Sequence, residues 1–173
     1  GLEVDLPDGC EALCARAAPG LSDEVNAIRA ALCAPIAGPA LARRVKPGDR
    51  VVVVHSDITR ATPNARMLPV LLEELELAGI ARSDITLLNG LGTHRIQTES
   101  ETRALLGDRV VTHYRCVQHN AFDDTKLVTL GTTLSGHPIR VNRLFMEADV
   151  RILTGFIEPH FFAGFSGGPK GVV

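Results

Sequence analysis

Four consecutive valines, Val51 to Val54, constrain this chain more than any other feature. A strand with one wet face alternates apolar and polar residues. An unbroken β-branched run instead predicts a strand over Arg50–Ser56 that is covered on both faces, as in a parallel sheet layered between helices. The rest of the sequence supplies those layers. Ser22 is the expected cap of a helix carrying Val25, Ile28 and Leu32 at helical spacing and ended by Pro35, and 35–48 reads as a connector. Thr62 and Pro63 are expected to open a second helix with a Leu68, Leu71, Leu72, Leu75 stripe and a Gly79 stop. A strand is predicted over Asp84–Leu88. Thr98 and Glu101 spell a capping box for a short helix to Leu106, stopped by Gly107. A third strand is expected over Arg109–Tyr114. Leu127–Leu130 and Pro138–Val141 read as an antiparallel pair around Ser135-Gly136, Asn142 as the cap of a helix to Glu147, and Asp149–Gly155 as the last strand. The expectation is one α/β domain over 1–173, with a mostly parallel sheet and flanking helices.

Composition narrows the function. Hydrophobic residues make up 45% of the 173, enough for a real core. A net charge of −2 and 4% aromatics without Trp argue against a nucleic-acid face, which needs excess cations and stacking platforms. No apolar run approaches the roughly 18 residues of a spanning helix. The four cysteines, Cys10, Cys14, Cys33 and Cys116, lack the second Cys/His pair of a zinc site and read as idle thiols of a cytoplasmic protein. Both termini are expected to be internal to a longer protein.

Ligands of parallel sheets bind beyond the carboxyl ends of the strands, and there the polar residues collect. His55-Ser56-Asp57-Ile58-Thr59-Arg60 follows the valine strand, Asn89-Gly90-Leu91-Gly92-Thr93-His94-Arg95 the second, and 155–170 the last. His94 and His160 are candidates for an acid/base pair, because imidazole changes charge near neutrality. Asp57, Thr59 and Arg60 stand where a helix begins, a place that suits an anion. The glycine-rich run is neither a Walker A loop, since Pro169 separates Gly168 from Lys170 and no Ser/Thr follows, nor G-x-G-x-x-G. Four of the six Phe residues (Phe156, Phe161, Phe162, Phe165) crowd round Lys170, and a lysine so placed is a candidate attachment point.

Asp57-Ile58-Thr59-Arg60, Gly92-Thr93-His94-Arg95 and Glu158-Pro159-His160-Phe161-Phe162-Ala163-Gly164-Phe165-Ser166-Gly167-Gly168-Pro169-Lys170 together resemble the lactate racemase family, the nickel-pincer enzymes. The resemblance implies the amino-terminal lobe of a two-lobe enzyme with its active site between the lobes. It implies a pyridinium-derived nickel-pincer nucleotide tethered as a thioamide to Lys170, with Gly167 and Gly168 giving it room. It further implies His94 and His160 as the catalytic pair, and Arg60, Asp57 and Thr59 around the substrate, a 2-hydroxy acid such as lactate. The resemblance also implies hydride transfer to and from the cofactor, with the cofactor-making enzymes as partners. The family's protein ligand to nickel is a histidine beyond the lysine, so none is expected here, and residues 1–173 alone are expected to be inactive. The rival expectation is a non-catalytic lobe that recognises a small anion through Arg60 and the glycine-rich loop.

Overall fold

The computed structural model describes residues 3–14 and 16–172. Its centre is a four-stranded sheet, all neighbours parallel, built from β1 (Val51–His55), β2 (Ile85–Asn89), β3 (Arg115–Gln118) and β6 (Val150–Leu153) in the order β3-β2-β1-β6. β1 is fully buried between β2 and β6, as its valines require. Val51 and Val53 face one core with Leu68, Leu71, Leu72, Leu75, Ile85, Leu87 and Leu106. Val52 and Val54 face a smaller one with Leu88 and Ala148, backed by Phe145 and Leu153. Alternation along β1 therefore serves two apolar layers instead of one apolar and one wet.

Helix α1 (Glu24–Cys33) is capped by Asp23, whose carboxylate accepts from the Asn26 amide at 3.0 Å, one residue later than the expected Ser22. It packs on α2 (Asn64–Leu77), the main helix of the larger core. Thr62 does not cap α2. Its Oγ1 accepts from the Ser56 hydroxyl at 2.6 Å, which ties the helix start to the end of β1. The capping box stands as read: α3 (Glu99–Leu106) has Thr98 and Glu101 satisfying each other's amides.

The strand expected over 109–114 is instead a helix, α4 (Asp108–His113), and the strand follows it as β3. Gly107, at φ +87, ends α3 and turns straight into α4, a conformation glycine adopts without cost. Val110 alone in α4 is buried, so the β-branched pair Val110-Val111 is wrapped as a helix with one inward face. The antiparallel hairpin is as expected, β4 (Leu127–Thr132) with β5 (Pro138–Asn142). Asn142 then caps α5 (Arg143–Glu147), its Oδ1 accepting from the Leu144 amide at 2.9 Å. A two-residue hairpin, β7 (Pro159–His160) with β8 (Gly164–Phe165), and a 3-10 turn over Gly168–Gly171 complete the chain. Among the described residues no helix is long and apolar enough to cross a membrane.

Candidate functional site

The parallel order brings the loops after β1, β2, β3 and β6 to one edge of the sheet. There they enclose a cavity of about 670 Å³. Its wall includes Asp57, Arg60, His94, His160, Gly167 and Lys170 of the residues singled out by sequence. It also includes His55, His119 and Arg140, which sequence reasoning left without a role, and Asn142, which it read only as a helix cap. Thr59 and Gly168 do not line it. Among the described residues Asp57 is the one carboxylate in a wall that holds Arg60, Arg140 and Lys170, so this cleft of a net-negative chain favours anions.

Asp57 is 4% exposed and fully engaged. Its Oδ1 accepts the Thr59 hydroxyl at 2.6 Å and the Thr59 amide at 3.1 Å, and its Oδ2 lies 2.5 Å from His94 Nδ1. Burial pushes the carboxyl up, but the Thr59 hydroxyl, the His94 ring and the Thr59 amide outweigh it and leave its pKa below the usual value. Thr59 thus holds Asp57, and Asp57 holds His94. A carboxylate can only accept, so the His94 ring carries a proton on Nδ1, and in the neutral ring Nε2 is the acceptor.

His160 is held the other way round. The amides of Phe162 and Ala163 both donate to its Nδ1, each at 3.3 Å, within the tight turn between β7 and β8. The neutral ring therefore carries its proton on Nε2. As neutral rings the two cleft histidines take opposite tautomers, Nε2 an acceptor on His94 and a donor on His160. Arg60 reaches the cavity with Nη1 on Glu158 Oε1 at 3.2 Å. Glu158 was passed over in the sequence because its partner is 98 residues away.

The loop that carries Lys170 is pinned by Ser166, 5% exposed. Its hydroxyl donates to the Phe156 carbonyl at 2.6 Å and accepts from the Glu158 amide at 3.2 Å. A Cβ on Gly155 would lie 2.9 Å from Gly167 Cα, and Gly167 itself sits at φ +72, so two strands of backbone touch where any side chain would part them. The Lys170 turn is seated where β1 and β2 end: a Cβ of Gly90 would stand 3.3 Å from the Gly171 carbonyl, and a Cβ of Gly171 3.7 Å from Val54 Cγ1. His55, at the end of β1, is 2% exposed, and its Nδ1 meets the Ser56 carbonyl at 3.0 Å. Burial drives its pKa down to about 4.

The family model described as the lactate racemase N-terminal domain matches residues 2–173. The chain is 35% identical over 150 residues to a lactate racemase of Thermoanaerobacterium thermosaccharolyticum. It is 36% identical over 151 residues to a lactate racemase of Lactiplantibacillus plantarum. Each match covers 87% of this chain and 35% of the relative, so the chain spans about a third of the length of these proteins. The structure of the lactate racemase apoprotein from T. thermosaccharolyticum superposes with a TM-score of 0.78 at 35% identity, over 86% of this chain and 36% of that one. A Thermotoga maritima protein gives a TM-score of 0.63 at 29% identity, over 76% and 34%.

Proposed function

We propose, from the premise that this chain belongs to the lactate racemase N-terminal domain family, that it forms the amino-terminal lobe of a nickel-pincer racemase or epimerase for a 2-hydroxy acid. The observation that carries this reading is the pair His94 and His160, lining one cavity in opposite tautomers beside Arg60. A racemase needs a proton acceptor for the hydroxyl of one enantiomer and a donor at the oxygen of the other, and these rings fit those roles.

The residues fit the cofactor on the structure's own terms. The cavity, at about 670 Å³, is far larger than a three-carbon acid needs. Lys170 lines it, and the close-packed Gly155 and Gly167 leave backbone bare beside it. Lys170 would hold the group covalently, with Gly167 beside it. When bound, the group would supply a reversible hydride acceptor for the substrate carbon. The chain's own residues would do the rest. Arg60, with one N–H on Glu158, would offer its remaining donors to the substrate carboxylate. His94 Nε2 would remove the hydroxyl proton, and the buried Asp57 would stabilise the resulting imidazolium as the orienting carboxylate of a catalytic triad does. His160 Nε2–H would hydrogen-bond the substrate oxygen on the opposite side. To release that proton the ring must first take one at Nδ1, which displaces the amides of Phe162 and Ala163. Proton delivery by His160 is therefore coupled to movement of residues 161–163.

The test is made on the cofactor-loaded protein. Lys170→Ala should lose the covalent mass increment. His94→Ala and His160→Ala should keep it while racemisation falls by about 10²–10⁴. A Lys170→Ala protein that still carries the increment would overturn the attachment. Full activity without either imidazole would overturn the acid/base pair.

A further inference from the structure

A further cavity histidine, His119, faces the cleft from the other side of the sheet order, and its chemistry is fixed by a helix cap. Asn142 is 8% exposed and holds its amide one way round: Oδ1 must be the atom that accepts from the Leu144 N–H at the start of α5. Its Nδ2 is then the atom 3.0 Å from His119 Nδ1, and an NH₂ group can only donate. Nδ1 of His119 is therefore a lone pair, and the neutral ring carries its proton on Nε2. Burial lowers the pKa of this ring and favours the neutral form. Among the described residues Nε2 has no protein partner. Arg140, two residues before Asn142 on β5, shares that face of the strand and lines the cavity as well. One of its nitrogens, Nη1, pairs with Asp124, and Nε and Nη2 carry no partner among the described residues.

We propose that His119 and Arg140 form a distal oxyanion subsite of the cleft, separate from the Arg60 end and used by a phosphate group. The inference rests on the reading of the cleft as an anion-binding catalytic site. Its separateness follows from topology. His119 follows β3 and Arg60 follows β1, and β2 lies between, so the roots of the two loops stand two strand spacings apart, roughly 10 Å. A three-carbon hydroxy acid is shorter than that interval. The group at His119 belongs to a longer molecule or to a second one. A fixed neutral N–H beside a guanidinium suits a tetrahedral oxyanion, which offers several acceptor oxygens to donors of different direction.

The experiment uses the full chain labelled with ¹⁵N-histidine. Long-range proton–nitrogen spectra read the tautomer of each ring, with inorganic phosphate and lactate as separate probes. His119 is expected as the Nε2–H form, and phosphate is expected to shift its Nε2–H signal. Lactate is expected to shift the His94 signals and leave those of His119 in place. His119→Gln, which keeps an N–H near the Nε2 position, should bind phosphate within about threefold of the parent, whereas His119→Phe should weaken it at least about tenfold. Thermal melts of both variants confirm that they fold. An Nδ1–H tautomer at His119, a phosphate titration that leaves its signals unmoved, or unchanged phosphate affinity in His119→Phe would each overturn the subsite. Phosphate silent at His119 with lactate still shifting His94 ends this proposal and leaves the racemase reading standing. Lactate shifting His119 and not His94 overturns both placements.

Discussion

Two stretches rich in apolar residues, β1 and the segment 155–165, meet opposite fates. Val51 to Val54 are at most 3% exposed, while Phe161 is 100%, Phe162 95% and Ile157 76% exposed. Hydrophobicity alone does not distinguish them. β1 is central in a sheet, so its side chains are covered from both faces by α2 and α5 without any choice of rotamer. The aromatic segment leaves the sheet at Gly155 and is held at its base by polar contacts, from Ser166 to Phe156 and Glu158 and from Arg60 to Glu158. Its rings are therefore presented outward, around the cavity mouth. Burial stabilises this chain in the first region, and apolar surface is kept available for contact in the second.

Three measurements break or sharpen that contrast. The largest effect is expected at Leu75, which is 0% exposed under β1: Leu75→Ala should lower unfolding free energy by about 3–5 kcal/mol in denaturant titration. A loss below 1 kcal/mol would mean that the helical layer is not what buries the valines. Next is acid sensitivity at the end of β1. The unfolded His55 takes a proton near pH 6.5 and the folded ring resists until about pH 4, so between these values the unfolded state binds more protons. Its contribution is complete above pH 6.5 and is lost as the pH falls toward 4, by about 3 kcal/mol in all. His119, also lowered, adds to the same window, and Asp57, lowered from 3.8, acts only below it. His55→Val should flatten most of this slope in melts from pH 7 to 4, and an unchanged slope would show that the ring is not buried neutral. The smallest effect is at the aromatic end. Phe161→Ser should change stability by less than about 0.5 kcal/mol. A loss of 2 kcal/mol would show that the ring packs against this chain after all.

Local rules carried the sequence reading furthest. The valine run, the Thr98–Glu101 box, the Leu stripe of α2 and the Asn142 cap all depend on neighbours within four residues, and each appears in the structure where it was expected. Residues 109–114 failed because β-branched content was weighed above the helix that Gly107 permits. At the candidate site the residues were legible as motifs but their partnerships were not. Asp57 and His94 lie 37 residues apart, and nothing in either motif tells that Thr59 holds the carboxylate. The role of His119 stayed open for the same reason: its tautomer is set by a cap on another element.

The strand order also dictates when the protein can fold. β1 has its inner neighbour β2 within about thirty residues, but its other neighbour, β6, arrives about a hundred residues later, with Thr154 closing the pair through its amide and hydroxyl on the Val54 carbonyl, both at 2.9 Å. Until then one edge of the valine strand has no hydrogen-bond partner, during synthesis and during every refolding attempt. Such late, long-range parallel pairing slows folding and leaves a sticky edge open to other chains. The strand that makes the native sheet most secure is thus the one most exposed to misassembly while the chain is incomplete.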